Sequence, residues 1–71
     1  MKVKLIEVSG IRRWPRLLGR ICTIEKRVVG EPAVLSFSDG TMRTAVVEKI
    51  VTAGDEIHLH TNNAVYKFEK S

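Results

Sequence analysis

Apolar and polar side chains alternate with a period of two along most of this chain, in short runs separated by turn-forming residues. The alternation is clear over Ala33–Phe37. The same alternation occurs over residues 57–61, where Ile57, Leu59 and Thr61 are separated by two histidines. A period of two places successive side chains on opposite faces of a β-strand, whereas a helix repeats about every 3.6 residues. The pattern therefore predicts a chain built from half-buried strands.

Turn signals divide the alternating runs into five or six strands. Ser9-Gly10 predicts a turn after the first run, and Asp39-Gly40 predicts a tight β-hairpin between two later ones. The run that follows is long, which predicts a bend or bulge near Glu48-Lys49, and Asn62-Asn63 predicts another turn. The expected strands are Lys2–Val8, Arg20–Val29, Ala33–Phe37, Met42–Thr52, Ile57–Thr61 and Ala64–Glu69.

Short strands joined by tight turns in 71 residues predict an all-β fold, a small antiparallel barrel of five to six strands. The best match is a Src-homology-3-like or Sm-like barrel, whose first connection is a long loop, and an OB-fold barrel is the alternative. A closed barrel hides the strand edges that an open meander exposes. Residues 1–71 then form one small domain, and assembly as a homo-oligomer would add burial to its small core.

Composition excludes several classes of protein. Hydrophobic residues make up 44% of the chain, which is enough apolar surface to exclude a disordered segment. Cys22 is the only cysteine, so no disulfide forms within the chain, and a reducing, cytoplasmic setting is favoured. No apolar run is long enough for a membrane-spanning helix, and Lys2–Val8 predicts a strand rather than a signal peptide. We expect a cytoplasmic protein with no membrane partner.

One segment breaks the alternation: residues 11–20, Ile-Arg-Arg-Trp-Pro-Arg-Leu-Leu-Gly-Arg, hereafter the basic segment. Pro15 and Gly19 would suit the two ends of a single helical turn. We expect an ordered loop held in place by Leu17, Leu18 and Trp14. The candidate binding residues of the chain are Arg12, Arg13, Trp14, Arg16 and Arg20.

The basic segment supports two functional interpretations and one structural one. Arginine forks bind phosphate oxygens in pairs and an exposed tryptophan stacks on a base, so nucleic-acid binding fits these residue types. Tryptophan and arginine also dominate protein hot spots. The alternative is therefore a protein-interaction module, phage or mobile-element encoded, that docks on a host protein. In the structural interpretation Trp14, Leu17 and Leu18 cover the open end of the barrel while the arginines are solvated.

Charge is distributed unevenly along the sequence. The first 30 residues carry eight Lys and Arg against two Glu, whereas the rest of the chain carries four cations against six carboxylates. This asymmetry predicts a basic and an acidic face if the fold keeps the two halves apart. We therefore expect a non-catalytic binding module, with nucleic acid as the first choice of partner.

The histidines and the cysteine indicate neither a metal site nor a catalytic site. His58 and His60 share one face of a strand, but a zinc site needs three or four ligands and no spacing supplies the others. Cys22 lies in an apolar run, where a free thiol usually packs as a small hydrophobe. No base is placed beside it for nucleophilic catalysis. We expect no enzymatic activity, no metal and no cofactor.

Two stretches, Thr44-Ala45-Val46-Val47 and Thr61-Asn62-Asn63-Ala64-Val65-Tyr66, resemble sequences in short uncharacterised bacterial and phage proteins. Those proteins carry a Thr-Ser-x-Val stretch and then a Thr-x-Asn-Ser-x-Tyr ending, with serine where this chain has Ala45 and Ala64. The likeness covers roughly a third of the chain. It implies a small barrel and brings no activity with it.

Overall fold

Six antiparallel strands form a closed barrel in the computed structural model, which describes residues 2–10 and 18–71. Each strand pairs with the next one in sequence, and β6 pairs with β1 to close the barrel. The predicted all-β antiparallel barrel is confirmed. The strands are β1 Lys2–Gly10, β2 Ile21–Lys26, β3 Pro32–Phe37, β4 Gly40–Ala53, β5 Glu56–Thr61 and β6 Ala64–Lys70.

The strand order distinguishes the predicted Src-homology-3-like or Sm-like barrel from the OB-fold alternative. An OB-fold is a Greek-key barrel that stays partly open. Here all neighbours are consecutive in sequence except the closing β6–β1 pair, so the small Src-homology-3-like or Sm-like description fits and the OB-fold alternative does not. Over the described ranges the chain contains no helix, and hence none long and apolar enough to cross a membrane.

The barrel interior is filled by inward-facing side chains from all six strands. Fully burying a side chain such as Leu35 or Phe68 contributes about 1.5–3 kcal/mol, so this layer is the main source of stability. The inward positions that the alternation predicts in β3 and β5 are confirmed. The buried apolar residues are Val3, Leu5, Cys22, Ala33, Leu35, Phe37, Val47, Ile57, Leu59, Ala64, Tyr66 and Phe68.

The β3–β4 hairpin is tight, as the sequence predicts, but its turn lies one residue earlier than expected. Phe37 pairs with Gly40, so Ser38 and Asp39 are the two turn residues and Gly40 already belongs to β4. Among the described residues only glycines have positive φ, so Asp39 keeps an ordinary backbone conformation. The bulge predicted in β4 is confirmed by a register shift between Val47 and Lys49.

Two predictions about strand ends and one about the basic segment are wrong. Ser9 and Gly10 do not turn the chain, because both pair with β6 and extend β1. The second strand ends at Lys26, after a register shift against β3, and leaves Val28 and Val29 exposed outside it. Leu18 is 46% exposed, so its burial does not hold the basic segment. The helical turn predicted from Pro15 falls largely in residues 11–17, outside the described ranges.

Two buried threonines satisfy backbone groups where the ladders are interrupted. The Thr61 hydroxyl donates to the Ala64 carbonyl at 2.9 Å and accepts from the Ala64 and Asn63 amides at 2.9 and 3.2 Å. It therefore fixes the β5–β6 turn. The Thr44 hydroxyl accepts from the Ala33 amide at 3.0 Å, beside the register shift between β3 and β4.

Candidate functional site

A groove of about 460 Å³ lies where β1, β2 and β3 meet the β3–β4 hairpin. Two of its lining side chains are cations, three carry hydroxyl groups, and none is a carboxylate. Every one of these polar groups is able to donate a hydrogen bond, so the groove suits an anionic ligand. Its polar lining residues are Lys2, Arg20, Thr23, Ser36 and Ser38.

Strand register brings residues that are distant in sequence into one row, of which Lys2, Thr23 and Ser36 line the groove. Lys2 pairs with Thr23, Thr23 with Ser36, and Ser36 with Thr41 on β4. Residues that pair across strands point to the same face, while their neighbours along each strand fill the core. Adjacent strands lie about 4.8 Å apart, so the row places a cation beside three successive hydroxyl groups over roughly 14 Å.

Arg20 is held in position at one end of the groove by three contacts. Its carbonyl accepts a hydrogen bond from the Leu5 amide at 3.1 Å, which ties the residue to β1. Its guanidinium carbon lies 5.0 Å from the centre of the Phe37 ring, a cation–π distance. Its Nη2 donates to Asp39 Oδ1 at 2.7 Å. The guanidinium is therefore oriented before any ligand arrives.

Asp39 is the carboxylate closest to this arrangement, and it lies on the solvent side of the ion pair. The hydrogen bond from Arg20, then the backbone hydrogen bond of Asp39 and the charge of Arg20, lower the pKa of the Asp39 carboxyl. Its side chain is 71% exposed, against 33% for that of Arg20. The carboxylate is ionised at neutral pH and free to move toward water.

Several ion pairs join a residue of the basic half of the sequence to one of the acidic half. Besides Arg20–Asp39, Lys26 contacts Glu31 at 2.6 Å and Lys67 contacts Glu7 at 3.4 Å. Each pair takes one residue from the first 30 and one from the remainder, so the fold interleaves the halves at these points. Lys2 forms no ion pair with any residue in the described ranges, which leaves its charge available at the groove.

The structure places one of the five sequence-predicted binding residues in the groove, Arg20. The other four, Arg12, Arg13, Trp14 and Arg16, lie outside the described residues. The remaining groove residues were not predicted as a site. Alternation marks Ser36 as an outward position, but placing Lys2 beside Thr23 requires the β1–β2 register, which no short-range pattern supplies.

The two histidines lie elsewhere in the barrel, whereas Cys22 lines the groove from its core side. His58 and His60 share the outer face of β5 as predicted, and His58 Nε2 lies 2.8 Å from Glu56 Oε1. Within residues 2–10 and 18–71, no three His, Cys, Asp or Glu side chains are grouped to hold a metal ion. Cys22 packs in the core as expected, and burial raises the pKa of its thiol.

No protein family, curated protein or solved structure matches this chain.

Proposed function

We propose that this protein is a non-catalytic nucleic-acid-binding module. The observation that carries the proposal is the groove in which Lys2 and Arg20 flank three hydroxyl side chains with no carboxylate in the lining. Phosphate oxygens are acceptors only, and proteins bind them through arginine, lysine, serine and threonine donors. Such contacts position a nucleic-acid backbone without reading its sequence.

The groove and the basic segment form one binding surface in this proposal. Arg20 belongs to both, since it lines the groove and ends the basic segment. Arg12, Arg13 and Arg16 supply further phosphate contacts, and Trp14 stacks on an unpaired base. The proposed setting is the cytoplasm. The groove offers cations and hydroxyls rather than a paired acid and base, so binding rather than catalysis is its natural chemistry.

A salt titration of binding tests the proposal. The affinity of the protein for a fluorescently labelled nucleic-acid single strand, and for the matching duplex, is measured by fluorescence anisotropy over a range of salt concentrations. Neutralising three to four phosphates gives a log–log slope of roughly −2 to −4 through counterion release. Lys2→Gln should flatten the slope by about one unit. Lys49→Gln is the matched control, because it removes the same charge from an exposed position on β4 opposite His60, away from the groove.

Variants in the basic segment separate its phosphate contacts from stacking. Arg12→Ala, Arg13→Ala and Arg16→Ala should each flatten the slope by about one unit or less. Trp14→Ala should weaken single-strand binding by roughly 1–3 kcal/mol and leave the slope nearly unchanged, because stacking releases no counterion. Weak binding with a flat salt dependence, indifferent to Lys2 and to every arginine, would contradict the proposal and favour the protein-docking alternative.

A further inference from the structure

We propose that Asp39 is a built-in competitor for phosphate at Arg20, so that the nucleic-acid backbone must displace this carboxylate when it enters the groove. The inference rests on the proposed function and states how that site is controlled. In the free protein the Asp39 carboxylate occupies one nitrogen of the guanidinium at 2.7 Å. In the complex a phosphate oxygen takes its place.

The geometry allows the carboxylate to leave while the guanidinium stays. Arg20 is supported from below by the Phe37 ring, a core residue, and by the backbone hydrogen bond to Leu5. Asp39 is held less firmly: its carboxylate accepts a backbone hydrogen bond at Asp39, but it belongs to a two-residue turn and its side chain is 71% exposed. Breaking the ion pair therefore moves a surface side chain and leaves the barrel unchanged.

Carboxylate and phosphate oxygens compete because they bind a guanidinium in the same way, through charge-assisted N–H···O hydrogen bonds. The charge of Asp39 also repels an approaching phosphate at short range. Both effects lower the affinity of the groove for any anion that contacts Arg20 alone.

This competition selects the class of ligand. A single phosphate ion that replaces Asp39 exchanges one anion for another and gains little. A chain of phosphates gains additional contacts at Lys2 and at the hydroxyl row of Thr23 and Ser36. The groove therefore favours a polyanionic backbone over an isolated phosphate, because only the backbone gains enough further contacts to offset the displacement of Asp39.

Asp39→Asn and Glu31→Gln form a matched pair for the test. Both remove one negative charge from an exposed ion pair, since Lys26–Glu31 has side chains 46% and 51% exposed. Neither Lys26 nor Glu31 lines the groove. Asp39 does not have positive φ, and asparagine forms the same turn contacts as aspartate, so Asp39→Asn retains the turn. Any difference between the two variants reports the position of the charge rather than the net charge.

We expect Asp39→Asn to tighten binding of the labelled single strand by about three- to tenfold at fixed salt, and Glu31→Gln by less than about twofold. Introducing Asp39→Asn into an Arg20→Gln background should give no gain beyond that of Glu31→Gln, because the competition acts through Arg20. Inorganic phosphate at matched ionic strength should displace the strand poorly from the wild type. Circular dichroism of each variant confirms that the barrel is folded.

Equal gains for Asp39→Asn and Glu31→Gln would overturn the inference, and so would a gain that survives in the Arg20→Gln background. Efficient displacement by inorganic phosphate would overturn the selection of polyanions. These results differ from failure of the proposed function, which appears as absent or salt-independent binding by the wild type and no effect of Lys2→Gln.

Discussion

Gly10 is the position where a single added methyl group should do most damage to this barrel. It is the last residue of β1, it pairs with Ala64, and its φ is +119°. A Cβ built on Gly10 would lie 2.5 Å from the Asn63 carbonyl oxygen and 2.7 Å from the Ala64 Cα. Both neighbours are backbone atoms where the β5–β6 turn enters β6. The Thr61 hydroxyl already fixes that turn, so they have little freedom to move.

Gly10→Ala combines two costs. Backbone strain at positive φ contributes about 1–3 kcal/mol, and forcing extra volume against fixed backbone adds about 1–3 kcal/mol. We expect a total loss of about 2–6 kcal/mol, a large fraction of the roughly 4–11 kcal/mol that a chain of this length has. Urea unfolding followed by far-ultraviolet circular dichroism gives the free energy by linear extrapolation.

Gly30→Ala is the control for Gly10→Ala. Gly30 also has positive φ, +94°, but an added Cβ would meet no atom within 4 Å. Gly30→Ala therefore carries the backbone strain alone, about 1–2 kcal/mol. If the two variants lose the same stability within error, the close approach between Gly10 and the β5–β6 turn does not exist.

Three further predictions concern buried polar and aromatic groups. Thr61→Val should cost about 2–3 kcal/mol, because two backbone amides lose their acceptor, whereas Thr61→Ser should retain most of the stability in the same urea assay. Burial raises the pKa of the Cys22 thiol, so the unfolded chain ionises first and stability should fall as pH rises above about 8.5. Cys22→Ala should lose that part of the pH dependence, and an unchanged profile would contradict it. Phe37→Leu should stay folded yet bind the single strand about threefold more weakly, because the ring under Arg20 is gone.

The strands were predictable because local alternation is enough to define them. Inward positions such as Leu35, Leu59 and Phe68 follow directly from a period of two, and the β4 bulge follows from the length of its run. The ends of strands were less predictable. Ser9-Gly10 has the composition of a turn, yet its role is to let the β1 backbone approach β6 closely, a tertiary requirement.

The candidate site was only partly predictable, because it depends on closure of the barrel. The composition of the basic segment, which includes Arg20, predicts a binding site. Lys2, Thr23 and Ser36 are ordinary polar positions in three separate strands, and they become a site only through the register of β1, β2 and β3. The pairing of Arg20 with Asp39 likewise spans 19 positions, and no helical or hairpin spacing predicts it.

Amide chemical shifts report directly whether the groove binds a nucleic-acid backbone. Isotope-labelled protein is titrated with an unlabelled single strand, and shift changes are assigned along the whole chain. Binding in the groove should concentrate the changes in the barrel at Lys2, Arg20, Thr23, Ser36 and Ser38 and leave the β5 face around His58 and His60 unchanged. Changes confined to the β5 face, or none at all at ligand excess, would contradict it.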